Sequence, residues 1–157
     1  MASPLQKKLN SDSIVALKSH DVLLTETLRF LLSSIHNREI EKRGQSGESE
    51  LTDEEVIEVL GREAKKRKEA AELYLKGGRQ DLVDKETAEL KIIKKYLPEE
   101  LSEAEVVRFV DETFVALNPK GPKDFGRLMG EAMKKMKGRV EAGVEANGVG
   151  GIVTGDR

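Results

Sequence analysis

The stretch Lys65–Leu101, KKRKEAAELYLKGGRQDLVDKETAELKIIKKYLPEEL, decides the fold. A charged helix ends at Gly77-Gly78, where glycine tolerates the left-handed backbone of a helix end. A second charged helix follows and stops before Pro98, because the residue that precedes a proline disfavours helical ψ. The stretch therefore predicts a helical hairpin followed by a domain boundary.

The composition of the chain agrees with an all-α fold. Of 157 residues, 36% are charged, well above the share of about 25% in an average soluble protein. Ala, Glu, Lys, Arg and Leu are abundant, and these side chains lose little rotamer freedom in a helix. There is no cysteine, which excludes disulfides, thiolate metal sites and a cysteine nucleophile.

The apolar and capping patterns predict six helices. They are expected near 4–19, 21–43, 52–76, 80–96, 102–117 and 123–137, with a loop at Gly44–Gly47. Two capping boxes mark helix starts, Thr52 with Glu55 and Ser102 with Glu105. We expect an N-terminal helical bundle over 1–97, a small helical domain over 98–142 and a flexible glycine-rich tail over 143–157. The apolar stripes place Leu17, Leu75 and Phe114 on core-facing sides.

The candidate sites for chemistry are few. The chain has no GxSxG motif, no P-loop and no paired catalytic Ser/Lys motif, so we expect no intrinsic catalysis, no cofactor and no metal. His20 and His36 lack a second ligand at helical spacing. The acidic run from Glu48 to Glu58 reads better as charge at the positive end of a helix than as a metal site.

Two basic clusters are candidates for an anionic partner. The first contains Arg62 and the run Lys65–Lys68, is partly neutralised by Glu58 and Glu69, and reads better as a solvated face. The second lies between Asn118 and Arg139, where seven bases face two acids in a chain of net charge -2. A basic helical stripe can follow a phosphate backbone, although bases near the negative end of a helix dipole give the same pattern. Its candidate RNA-binding residues are Lys123, Arg127, Lys134, Lys135, Lys137 and Arg139.

Four segments carry a resemblance to a known family. They are TLRFLLSSIHNREIEKR (27–43), LTDEEVIEVL (51–60), the stretch Lys65–Val106 and GPKDFGRLMGEAMKKMKGR (121–139). Together they resemble the YqeY family over roughly Leu5–Arg139. The resemblance implies an N-terminal helical bundle and a three-helix C-terminal domain similar to the tail of the B subunit of tRNA-dependent amidotransferase. In that enzyme the tail contacts tRNA and does no chemistry.

The resemblance also sets the functional expectation. Family members are catalogued as carbon–nitrogen ligases with glutamine as amido donor, a label shared with the amidotransferase. We expect a non-catalytic tRNA-associated accessory module, partnered by tRNA or a tRNA-processing protein. A helical protein–protein adapter with no RNA role is the alternative, and an amidotransferase activity would need partner subunits. After Lys137-Gly138-Arg139 the chain departs from the family pattern, which leaves the third helix of the tail domain open.

The partners and location follow from the same features. No apolar run is long enough to span a membrane, and no DNA partner is expected. The N-terminus MASPLQKKLN lacks the apolar region of a secretory signal. We therefore expect a cytoplasmic protein, with a matrix protein freed of its transit peptide as the alternative. The sequence leaves the oligomeric state open.

Overall fold

The computed structural model describes residues 1–118, 120–136 and 139. Within these residues the secondary structure is helical, with six α-helices and no strand, which confirms the all-α class. The chain divides into two compact units, Met1–Leu97 and Pro98–Arg157. The glycine-rich segment 143–157 and the third helix of the tail domain lie outside the described residues.

Two helices open the first unit. Helix α1 spans Pro4–Lys18, and the Ser3 side chain caps it by accepting a hydrogen bond from the Gln6 N–H. Helix α2 spans Val22–Ser46, and Asp21 caps it in the same way through the Leu24 N–H. The expected loop at Gly44–Gly47 is wrong because the helix continues to Ser46. Gly47 then ends it with φ 78°, and its N–H donates to the Arg43 carbonyl.

The predicted hairpin completes the first unit. Helix α3 spans Asp53–Lys76 and begins with the full Thr52–Glu55 capping box. The turn at Gly77-Gly78, with φ 69° at Gly78, leads to α4 over Gln80–Lys94. The Tyr96 hydroxyl donates to Asp12 Oδ2 over 2.7 Å and ties the end of α4 to α1. Burial and this carboxylate raise the pKa of Tyr96.

One hydrophobic core joins the four helices of the first unit. Every helix contributes to the most deeply buried side chains, which are Leu9, Leu28, Leu31, Ile35, Val56, Leu60 and Ile93. Removal of any one of the four helices would therefore open the core. Leu17 and Leu75 do not join it, against the expectation, since they are 52% and 61% exposed near the ends of α1 and α3. The helical period predicts which face of its helix a residue lies on. Burial also requires that another helix pack against that face at the same height along the helix axis.

The second unit is built around two described helices. Helix α5 spans Glu103–Leu117 with the full Ser102–Glu105 capping box. A short 3-10 turn over Pro122–Asp124 leads into α6, Phe125–Met136. The two helices bury Val106, Val110, Ala132 and Met136 in a separate small core. Phe114 is 49% exposed and so does not occupy the core position that its spacing predicts.

Candidate nucleic-acid interface

Helix α6 has a buried face and an exposed basic face. Leu128, Ala132 and Met136 are buried at helical spacing. Arg127 and Lys134 lie on the opposite side and are exposed, and Lys123 extends this exposed surface into the preceding turn. We call Lys123, Arg127 and Lys134 the basic face. The core thus fixes α6 so that these three bases point to solvent.

The basic face carries little internal neutralisation. Lys134 Nζ lies 3.3 Å from Glu131 Oε1, but both side chains are largely exposed, and such pairs contribute little in water. Asp124 is used locally, because its Oδ2 accepts from the Lys120 N–H over 2.9 Å and closes the turn. Lys135 is also exposed, at the border of the basic face. The arrangement is suited to contact with phosphates.

Of the remaining candidates from the sequence, one does not join the basic face and one lies outside the described residues. Arg139 is bound to the segment that precedes α5: its Nε donates to the Glu99 carbonyl over 3.2 Å, and its own carbonyl accepts from the Leu101 N–H over 2.7 Å. Its charge, after the hydrogen bonds from Ser102, also helps to lower the pKa of Glu105. Lys137 lies outside the described residues.

Two glycines on α6 are features that sequence reasoning missed. Gly126 and Gly130 are exposed, and a Cβ added at either position would meet nothing within 4 Å. Glycine destabilises a helix interior by about 1 kcal/mol relative to alanine, so folding alone does not explain Gly130; Gly126, the second residue of α6, costs less. The sequence GRLMG, residues 126–130, already showed two glycines four residues apart in a predicted helix, with Arg127 between them. The two glycines leave the helix backbone open to close approach beside the basic face.

The first basic cluster is dispersed by the fold. Arg67 is largely buried against α4, with Nε 2.6 Å from Glu89 Oε2, and its guanidinium lies 4.7 Å from the centroid of the Phe30 ring. Arg62 pairs with Glu58 over 2.6 Å, and Lys65 lies 3.9 Å from Glu69. Acids therefore pair with Arg62, Lys65 and Arg67, whereas the burial of Arg67 departs from the solvated face that the sequence predicts.

The acidic run serves as helix-start structure. Asp53 Oδ1 accepts from the Leu5 N–H over 3.0 Å, and Glu55 accepts from Thr52 in the capping box. Lys42 Nζ lies 2.7 Å from Glu55 Oε2, and these contacts lower the pKa of Glu55. His36 lies beside Glu39 and has no second histidine nearby in sequence. In residues 1–118, 120–136 and 139, no group of three His, Asp or Glu is placed to hold a metal.

Comparison with known proteins places this two-unit helical chain in a family. Residues 6–149 match the family described as Yqey-like protein. The chain belongs to the YqeY family. None of the helices in the described part of the chain has both the length and the apolarity needed to cross a membrane.

Several relatives of this YqeY protein are fungal. "Altered inheritance of mitochondria protein 41, mitochondrial" from Lachancea thermotolerans is 34% identical over 116 residues, which cover 73% of this chain and 60% of the relative. The protein of the same name from Saccharomyces cerevisiae strain YJM789 is 30% identical over 128 residues, covering 78% of this chain and 67% of the relative. An uncharacterized protein from Schizosaccharomyces pombe is 34% identical over 98 residues, covering 62% and 76%. The chain thus spans less than two thirds of the length of the Lachancea relative.

These relatives correct one expectation from the sequence. A cytoplasmic location is contradicted, because the Lachancea and Saccharomyces relatives are named as mitochondrial proteins. The cytoplasmic expectation rested on the lack of an apolar signal region. That criterion tests for secretion and does not separate cytosol from mitochondrion.

Proposed function

We propose that this YqeY protein is a non-catalytic, tRNA-associated accessory module, related to the tail domain of the glutamine-dependent amidotransferase. The observation that carries the proposal is the basic face, in which Arg127 and Lys134 are exposed on α6 and Lys123 is exposed in the turn before it, while the core of the second unit holds the helix in place. Family membership supports it through the resemblance to the amidotransferase tail.

The mode of recognition follows from the side chains present. Lysine and arginine side chains contact phosphates and the shape of a folded RNA, and the three residues of the basic face include no aromatic ring that could stack on bases. Lysine and arginine contacts to phosphate release counterions, so the affinity should fall steeply with salt concentration. Exposed Gly126 and Gly130 would let a phosphate backbone approach α6 closely beside Arg127.

The test is a fluorescence-anisotropy titration of labelled tRNA with the full chain at two salt concentrations. We expect saturable binding. The logarithm of the association constant should fall linearly with the logarithm of the salt concentration, with a slope of about 0.7–0.9 per phosphate contacted. The triple change Lys123→Glu, Arg127→Glu and Lys134→Glu should abolish the binding. The control changes Lys7, Lys18 and Lys85 to Glu, since these exposed lysines of the first unit give the same change in net charge.

Either of two results would reject this function. One is the absence of tRNA binding by the unaltered chain at low salt. The other is equal loss of affinity in both triple variants, which would reflect net charge rather than the basic face.

A helical protein–protein adapter is the second candidate. One observation favours it: Leu73 and Leu75 are 66% and 61% exposed near the end of α3, at the tip of the hairpin. A partner that docks on the hairpin would cover them. A salt-insensitive complex with a protein, lost on Leu73→Ser and Leu75→Ser and formed without RNA, would support this candidate over the tRNA module.

We infer a mitochondrial place of action from the names of the relatives. The inference is checked by expressing the protein with a C-terminal fluorescent tag and measuring its overlap with a mitochondrial marker. A signal excluded from mitochondria would reject it.

A further inference from the structure

A polar cavity lies between α2 and α3, away from the hairpin tip and in the first unit. Its volume is about 220 Å³. This is smaller than the cavities of roughly 300–1,000 Å³ that hold drug-sized ligands, so it suits a compact metabolite. Side chains of both charge signs line it together with the neutral Ser34 and Asn37.

Glu63 is the most constrained of the lining residues. It is 4% exposed, although it carries a carboxylate. Its Oε1 accepts from Ser34 Oγ over 3.3 Å and from Lys66 Nζ over 3.0 Å. Its Oε2 has no hydrogen-bond partner among the described residues. A buried carboxylate oxygen without a donor is strongly unfavourable, so the site is incomplete as a purely internal structure.

The cations around the cavity are available for exchange. Arg38 lies 3.3 Å from Glu41, and Arg62 lies 2.6 Å from Glu58. The Glu41 and Arg62 side chains are 61% and 60% exposed. The other member of each pair is partly buried, with Arg38 25% exposed and Glu58 31% exposed, so a carboxylate that brings its own two oxygens must compete with Glu41 and Glu58 for the guanidinium groups. The cavity wall therefore combines the Glu63 carboxylate, an acceptor for a cationic donor, with guanidinium groups for an anion.

We propose that this cavity binds a free α-amino acid, with the ammonium group at Glu63 and the carboxylate at Arg38 and Arg62. A simple anion is a poor fit because Glu41 and Glu63 also line the walls. A simple amine is a poor fit because three lining cations, Arg38, Arg62 and Lys66, oppose it. A zwitterion satisfies both sets of groups. The site shares no residue with the basic face, so amino-acid binding and tRNA binding can be tested independently.

The test uses ligand-observed saturation-transfer NMR on the full chain with L-alanine, L-serine and L-glutamine as probes. L-Alanine has two matched analogues that each lack one charged group, propionate and ethylamine. We expect saturation transfer to at least one amino acid, and binding of propionate and ethylamine at least about tenfold weaker than that of L-alanine or undetectable. Saturation transfer to none of the three amino acids would overturn the proposal, since the cavity would then hold water only. Equal transfer to propionate would also overturn it.

Two variants locate the site. Glu63→Gln keeps the size of the side chain but removes the charge that holds the ammonium, and it should weaken amino-acid binding at least about tenfold. Glu69→Gln is the matched control, because Glu69 is an exposed glutamate on the same helix with its own lysine neighbour. Should Glu63→Gln lose its helical circular dichroism, Arg62→Gln replaces it, since the Arg62 side chain is 60% exposed and its loss should disturb folding less. Unchanged binding in a folded Glu63→Gln or Arg62→Gln, or equal loss in Glu69→Gln, would contradict the assignment.

Discussion

At the scale of single residues, Glu55 makes two contacts at the start of α3. Its carboxylate accepts from the Thr52 N–H over 2.9 Å and from Lys42 Nζ over 2.7 Å. The Lys42 hydrogen bond, followed by the one from Thr52, lowers the pKa of Glu55. The ionised form is therefore favoured by folding.

This predicts a pH-dependent contribution to stability. The stabilisation is complete above the pKa of an unfolded glutamate, about 4.3, and is lost as the pH falls below it through the lower folded value. We expect Glu55→Gln to lower the free energy of unfolding by about 1 kcal/mol at pH 7 and to have a smaller effect at pH 3. Urea unfolding at both pH values measures this. Exposed Glu72→Gln is the control, and an effect of Glu55→Gln that is equal at both pH values would contradict the assignment.

The exposed glycines of α6 give a second residue-scale prediction. Gly130→Ala should stabilise α6 by about 1 kcal/mol, and Gly126→Ala, at the second residue of the helix, by less, because an added methyl group meets nothing and the unfolded chain loses freedom. Hydrogen exchange of α6 amides, followed by mass spectrometry, should slow accordingly. Gly78→Ala should instead destabilise the turn between α3 and α4, since Gly78 has φ 69°, which is unfavourable for alanine. Faster exchange in α6 on Gly126→Ala would show that the glycine serves the fold.

At the scale of elements, Arg67 joins α3 to α4 and α2. Its Nε lies 2.6 Å from Glu89 Oε2 and 3.6 Å from Glu86 Oε2, and its guanidinium lies near the Phe30 ring. All three charged side chains are 13–18% exposed, so their charges are poorly hydrated. Removal of the arginine would leave two carboxylates close together without a cation.

We predict that Arg67→Met lowers the free energy of unfolding by about 2–3 kcal/mol. Adding Glu89→Gln to Arg67→Met should recover part of the loss, because one uncompensated charge is then removed. Chemical denaturation of the two variants measures the coupling. Arg79→Met is the control: Arg79 and Asp81 form a pair at the start of α4 whose side chains are 60% and 65% exposed, and little change is expected. A similar small effect at Arg67 would mean that water screens its carboxylates.

The contacts that could be predicted from the sequence join residues close together in the chain, and those that could not be predicted join residues far apart in it. Both capping boxes were predictable because four adjacent residues determine them. The partners of Arg67 were not, since Glu86 and Glu89 follow about twenty residues later on another helix, and the run KKRK therefore looked uniformly solvated. Glu63 reads in sequence as one more surface acid, because only the packing of α2 against α3 buries it beside Ser34. Among the RNA candidates, the contact of Arg139 to Glu99 was unpredictable for the same reason, because it spans forty residues.

At the scale of the whole molecule, the two compact units have separate cores. The core of the first unit is formed by residues of Met1–Leu97 and includes Ile92 and Ile93 of α4. The second contains Val106, Val110, Ala132 and Met136. We propose that the units are separate folding domains, with the boundary at Leu97-Pro98.

The prediction is that residues 1–97 fold alone. Their thermal unfolding, followed by circular dichroism, should be cooperative. A shorter chain ending at Lys76 should lose that transition, because it lacks α4 and exposes the core beneath Ile93. A non-cooperative transition for residues 1–97 would show that the first unit depends on the second.

The pairing of helices also bears on the kinetics of folding. The closest packing is between neighbours along the chain: α1 with α2, α3 with α4, and α5 with α6. Each hairpin closes through a short connection, so little chain entropy is lost before its contacts form, and topologies rich in local contacts fold within about microseconds to milliseconds. The hairpin α1–α2 can form while α3 is still being synthesised. A protein that must stay unfolded to be threaded through a membrane pore would then depend on holding factors that bind it faster than its first two helices meet.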